Sequence, residues 1–102
     1  MSRTTLDAKS YADAMWRAGF KCERCEGTMC LEVHHVVGRQ PPVLVNEPDN
    51  LLVLCVHCHA WWHGQKQVAV GWFIGRFGRE RYDHLLGLRA GRKGVRVRSL
   101  AP

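Results

Sequence analysis

Apolar positions between Asp7 and Ala18 recur with the period of a helix. Ala8, Tyr11, Met15 and Ala18 fall on one stripe, with Trp16 beside it, which predicts an amphipathic packing helix. Thr4, Thr5 or Asp7 can cap its start and Gly19 can close it. The pattern then changes. Cys30 to Val37 is apolar and β-branched around two adjacent histidines and reads as a strand. Gly38 to Glu47, with Pro41-Pro42, reads as a loop, and Pro48-Asp49-Asn50 as a turn. Leu51 to Leu54 is a short apolar run, most simply the returning strand. A helix is expected from about Cys55 through Trp61 and Trp62 toward Gly64. From Gln65 to Ile74 the apolar residues Val68, Val70, Trp72, Phe73 and Ile74 fit neither helix nor extended chain decisively. Gly78 to Leu88 reads as a last helix, with Tyr82, Leu85, Leu86 and Leu88 as its apolar positions.

The chain of 102 residues is expected to form one domain with a modest core, a size at which a metal often staples the fold. It has no transmembrane run, and Met1 to Asp7 is polar with no apolar stretch behind it. The expected compartment is therefore the reducing cytoplasm, where paired cysteines read as metal ligands. The formal charge of +6 favours a polyanionic partner. Arg89, Arg92, Lys93, Arg96 and Arg98 fall in a tail without an acidic residue. It reads either as a solvated terminus or as an arm that follows DNA phosphates.

Two Cys-x-x-Cys pairs, Cys22/Cys25 and Cys55/Cys58, lie some thirty residues apart. Each pair turns the backbone so that two thiolates face one ion, and two pairs complete a tetrathiolate zinc set. A redox pair normally follows a strand inside a βαβ unit, and none is visible. Of the five cysteines, Cys30 is left over and reads as a small buried residue at a strand start.

The histidines add a second cluster. On a helix advancing roughly 100° per residue, His59 and His63 stand about 40° apart on one face, close enough to share a metal. His34 and His35 are adjacent on a strand, so their rings point to opposite faces. One of them can join His59 and His63, leaving the other free as a base. An imidazole with an ordinary pKa of about 6.5 accepts a water proton near neutrality. A divalent ion stabilises the charge that develops at phosphorus and on the departing oxygen.

Cys22-x2-Cys25, Leu31-Glu32-Val33-His34-His35-Val36, Asp49-Asn50-Leu51-Leu52-Val53-Leu54-Cys55-x2-Cys58-His59 and His63 resemble the HNH endonucleases over about residues 20 to 64. Trp72-Phe73 and Phe77-Gly78-Arg79-Glu80 are similar to small HNH proteins of phages and prophages. The resemblance implies an α+β fold with a ββα-metal (His-Me finger, treble-clef-like) core at 20–64. An N-terminal helix at 1–19, a helical extension at 65–88 and the basic tail at 89–102 would flank it. By position it implies that His34, His59 and His63 hold a catalytic divalent ion, His63 matching a ligand of the nuclease-colicin members. It makes His35 the general base and Asn50 the residue that braces the loop and orients that base. Many members carry Asp in the place of His34. An all-imidazole set suits Zn, Ni, Co or Mn as readily as Mg. The implied function is metal-dependent hydrolysis of DNA in the cytoplasm, of a bacterial host if the chain is phage-encoded. It includes a separate structural zinc but neither a small-molecule cofactor nor a membrane partner.

Three other readings compete. Four cysteines and a basic charge also fit a zinc-finger module that binds DNA or protein and cuts nothing. The likeness to phage proteins allows an accessory of a packaging terminase. Cys55-Val56-His57-Cys58-His59 matches the covalent haem pattern, against which stand the missing export signal and the second cysteine pair. His57 reads as a surface residue and His84 as lying on the surface of the last helix. Trp61 and Trp62 are expected to cover the zinc knuckle or to pack the N-terminal helix.

Overall fold

The computed structural model describes residues 4–91. Of the basic tail, Arg92, Lys93, Arg96 and Arg98 therefore lie outside the described residues. Helix α1 (Ala8–Arg17) starts where Asp7 accepts a hydrogen bond from the Ser10 amide at 2.7 Å, a cap that contributes about 1 kcal/mol. It stops at Gly19, whose φ of +71° is one that residues with a Cβ rarely adopt. The stripe it buries is narrower than its pattern predicts. Ala14 is buried and Met15 and Ala18 are partly so, whereas Tyr11 is exposed.

Strands β1 (Leu31–His35) and β2 (Leu51–Cys55) form an antiparallel hairpin in the register His34↔Leu52 and Val33↔Val53. Alternation splits the hairpin between two layers. Leu51 and Val53, with Leu31 and Val33, pack against α1. Leu52 and Leu54 face the opposite way, into the larger core built by the later helices. Every residue of β2 is buried, as expected for a strand covered on both faces. Its outer edge is closed by the knuckle, the tight turn Cys22 to Gly27: Glu23 donates its amide to the Val53 carbonyl and its carboxylate accepts from the Val53 amide, both at 2.8 Å.

Helix α2 (Val56–Gly64) follows β2 without a loop, and α3 (Lys66–Phe77) and α4 (Arg79–Arg89) complete the described chain. The undecided stretch 65–74 is thus helical. Ala69, Phe73 and Phe77 lie four apart, and Phe73 meets the Trp62, Phe77 and Tyr82 rings, so packing decides what periodicity left open. Gly78, at φ +101°, makes the corner into α4. Arg17 and Arg81 both donate to the Leu51 carbonyl, Arg17 also to Pro48 and Arg81 also to Asp49. The short 3-10 turn Pro48–Asn50 is thereby held by guanidinium groups from α1 and α4. No helix among the described residues is long and apolar enough to cross a membrane.

Candidate metal and nuclease site

Cys22, Cys25, Cys55 and Cys58 converge with all four sulfurs within 4.8 Å of one another. Cys25 Sγ and Cys55 Sγ are 3.8 Å apart, and tetrahedral zinc–sulfur bonds of about 2.3 Å place ligand sulfurs about 3.8 Å apart. Backbone amides turn inward on the sulfurs: Arg24 and Cys25 on Cys22, Gly27 on Cys25, Cys58 on Cys55. Burial raises the Cys22 thiol, but these amide donors outweigh it and bring the pKa down to about 7. The Cys58 thiol is pushed up, chiefly by burial and then by the other sulfurs, with Arg24 opposing. Arg24 donates to Cys58 Sγ at 3.4 Å while stacking 3.6 Å from the Trp61 ring centroid. Trp61 therefore flanks the knuckle, and Trp62 is buried in the main core. Neither packs on α1. Cys30 is exposed at φ +54°, not buried, because the chain turns there to enter β1.

The second cluster comes from β1 and α2. His34 is buried, its Nδ1 lies 3.1 Å from His59 Nε2, and the His63 ring centroid is 5.0 Å from that of His59 and 5.3 Å from that of His34. One donor nitrogen from each residue lies within 4.8 Å of the others. Two ligand nitrogens on one ion, each at about 2.0–2.1 Å, stand about 3 Å apart, which fits the His34–His59 pair. Burial, followed by the charges of His59 and His63, pushes His34 down to about 3, so its ring stays neutral and able to bind a metal. His34 Nε2 is buried without a hydrogen-bond partner, against the Trp62 ring at 4.6 Å between centroids. Among the described residues the only polar contact of the ring is therefore through Nδ1 to His59, on the edge that faces the ligand cluster.

Glu32 supplies a feature the sequence reading missed. Its Oε1 accepts from His59 Nδ1 at 2.5 Å. A carboxylate in this position fixes the tautomer and directs the Nε2 lone pair of His59 toward His34. The available signal was strand alternation, since Glu32 precedes His34 by two and shares its face.

His35 points the other way, toward the loop. Its Nε2 donates to the Val45 carbonyl at 2.9 Å. A carbonyl only accepts, so the neutral ring carries its lone pair on Nδ1. Burial lowers the His35 pKa, the Val45 bond partly restores it and the charge of Arg39 lowers it further. Asn50, fully buried, makes no bond to His35. Its Nδ2 donates to the Gly38 and Leu44 carbonyls and its Oδ1 accepts from the Val37 amide. It therefore fixes the loop whose next residue is Val45.

His84 is a correction. Its side chain is only 9% exposed, 4.0 Å from Glu47 and 3.9 Å from Asp49, because α4 packs against the Pro48–Asn50 turn. His57 is exposed as expected. Cys55 and Cys58 face the other cysteines and His59 faces His34, an arrangement that leaves no Cys-x-x-Cys-His unit for haem.

The family model described as HNH endonuclease matches residues 22–64. No curated protein and no solved structure matches the chain. The matched span contains both cysteine pairs, the His34–His35 pair, Asn50, His59 and His63. Residues 22–64 therefore match the HNH endonuclease family model, a match that suggests nuclease-type activity in general.

Proposed function

We propose that this protein is a metal-dependent endonuclease that hydrolyses DNA phosphodiester bonds on a ββα-metal centre, with a structural zinc on Cys22, Cys25, Cys55 and Cys58. The observation that carries the reading is the division of labour between adjacent histidines. His34 joins His59 and His63, while His35 has one nitrogen tied to a backbone carbonyl and the other left with its lone pair. A binding module needs the cysteines but has no use for this arrangement.

In this mechanism His34, His59 and His63 hold the catalytic cation. When bound, the ion supplies electrostatic stabilisation of the phosphoryl charge and of the departing oxygen. His35 Nδ1 takes the proton from the attacking water, and the Val45 carbonyl stabilises the imidazolium that results. Asn50 contributes by holding the loop that carries Val45. Arg89, Arg92, Lys93, Arg96 and Arg98 add affinity for backbone phosphates rather than catalysis. The donor chemistry favours Mn, Ni or Zn at least as much as Mg. Plasmid cleavage in each of these metals, with His35→Ala as control, tests the reading. Wild-type cutting that the variant loses supports it. DNA binding without cutting in any metal replaces it with the zinc-finger module.

A further inference from the structure

Against Val45, the residue whose carbonyl holds His35, lies a cleft that the reaction as described does not use. It is lined by Thr4, Arg39, Gln40, Pro42 and Val45 and has a volume of about 360 Å³, near the lower end for small-ligand pockets. Both its walls are held. Asn46 accepts from the Asp7 amide at 2.9 Å and donates to the Thr5 carbonyl at 3.2 Å, which pins the segment bearing Thr4. Asn50 pins the loop on the other side. The cleft shares Val45 with His35, whose ring bonds the carbonyl of that residue. A tight turn, closed by the Gly38 amide on the His35 carbonyl at 3.2 Å, is followed at once by Arg39, four residues beyond the base.

Arg39 has no hydrogen bond, ion pair or ring contact among the described residues, and no acidic residue lines the cleft. Arg39 is exposed, and three other arginines behave differently. Arg17 and Arg81 hold carbonyls, and Arg24 holds a sulfur and an indole. An unengaged guanidinium in a pocket without a carboxylate matches a phosphate, which it grips through two parallel hydrogen bonds. Thr4 and Gln40 offer further donors, and Pro42 and Val45 an apolar wall for a sugar.

We propose that this cleft is the substrate-strand subsite next to the scissile bond, taking one backbone phosphate and its sugar, with Arg39 as the phosphate-binding residue. The inference rests on the reading of His35 as the base.

The test uses zinc-loaded protein and a short DNA duplex. Affinity is measured against salt without a second divalent ion, and the cleavage rate is measured at saturating DNA in Mn. The proteins compared are wild type, Arg39→Ala, Arg39→Lys and His35→Ala. Arg39→Ala is expected to weaken binding about tenfold, as for one charged hydrogen-bonded contact. It should also flatten the log–log salt slope by about 0.9, as for one lost phosphate. Its rate at saturation should fall about 10- to 100-fold through misplacement of the strand. Arg39→Lys should recover the slope but only part of the rate, since the fork is lost. A wild-type salt slope in Arg39→Ala overturns the subsite. So does a lost phosphate contact with an unchanged rate at saturation, which would place Arg39 away from the cut. Wild-type protein that cuts, with His35→Ala that does not, upholds the nuclease reading whatever Arg39 does. Wild-type protein that neither binds nor cuts the duplex removes both.

Discussion

Glu32 Oε1 and His59 Nδ1 meet at 2.5 Å across 27 residues of sequence, joining the first strand of the hairpin to the helix that follows it. The contact determines which nitrogen of His59 faces His34. Removing it with Glu32→Ala is expected to weaken the exchangeable divalent ion about 10- to 100-fold while leaving the cysteine-bound zinc in place. Isothermal titration with Mn or Ni reads the first effect and metal analysis the second. Cleavage by the variant should recover at high metal concentration. An unchanged affinity would mean that Glu32 is a surface acid with no hold on the ligand set.

The four cysteines should hold one zinc on which folding depends, since structural zinc supplies a large share of a small domain's stability. Cys25→Ser combined with Cys58→Ser, or strong chelation, should abolish cooperative thermal unfolding. A folded protein with no tightly held zinc by elemental analysis would contradict this.

Asn50→Ala should destabilise the protein by about 3 kcal/mol or more. It leaves the Val37 amide and the Gly38 and Leu44 carbonyls short of a partner, and a buried orphan of this kind costs about 1–3 kcal/mol. Denaturant unfolding measures the loss. Asn50→Asp should be at least as harmful, because it turns a donor facing two carbonyls into an acceptor. A variant as stable as wild type would show that the loop is held elsewhere.

The pH dependence of cleavage follows from His35. The base works when neutral, and burial holds its pKa below the ordinary imidazole value, about 6.5. The neutral fraction rises as pH climbs through that lowered pKa and is complete above it. The acid limb of kcat/KM should therefore have its midpoint below about pH 6.5 and run flat through neutrality. A midpoint above that value would point to another titrating group.

The secondary-structure order from β1 to α2, and the grouping of the cysteines and of His34, His59 and His63, were legible because each depends on short spacings. Alternation along β1 separates His34 from His35, and the four-residue step on α2 aligns His59 with His63. What escaped depends on contacts distant in sequence or on the backbone. The acceptor for His35 is the carbonyl of Val45, and a carbonyl has no signature in a sequence. His84 looked like a surface residue of α4 because Glu47 and Asp49, which face it, lie far upstream. Tyr11 fits the apolar stripe of α1, yet it stays exposed because only Ala14, Met15 and Ala18 reach the hairpin.

The division between His34 and His35 is tested most directly by comparing His35→Ala with His59→Ala in one assay. Single-turnover cleavage of a plasmid is measured across a Mn titration, with bound metal determined on the same samples. His35→Ala should keep both metals and lose about 10²- to 10⁴-fold in rate at every Mn concentration, as for a missing general base. His59→Ala should lose the exchangeable metal and regain part of its rate as Mn rises. A His35→Ala protein that cuts as fast as wild type, or one that is rescued by Mn in the manner of His59→Ala, would contradict the assignment of His35 to the water and His34 to the metal.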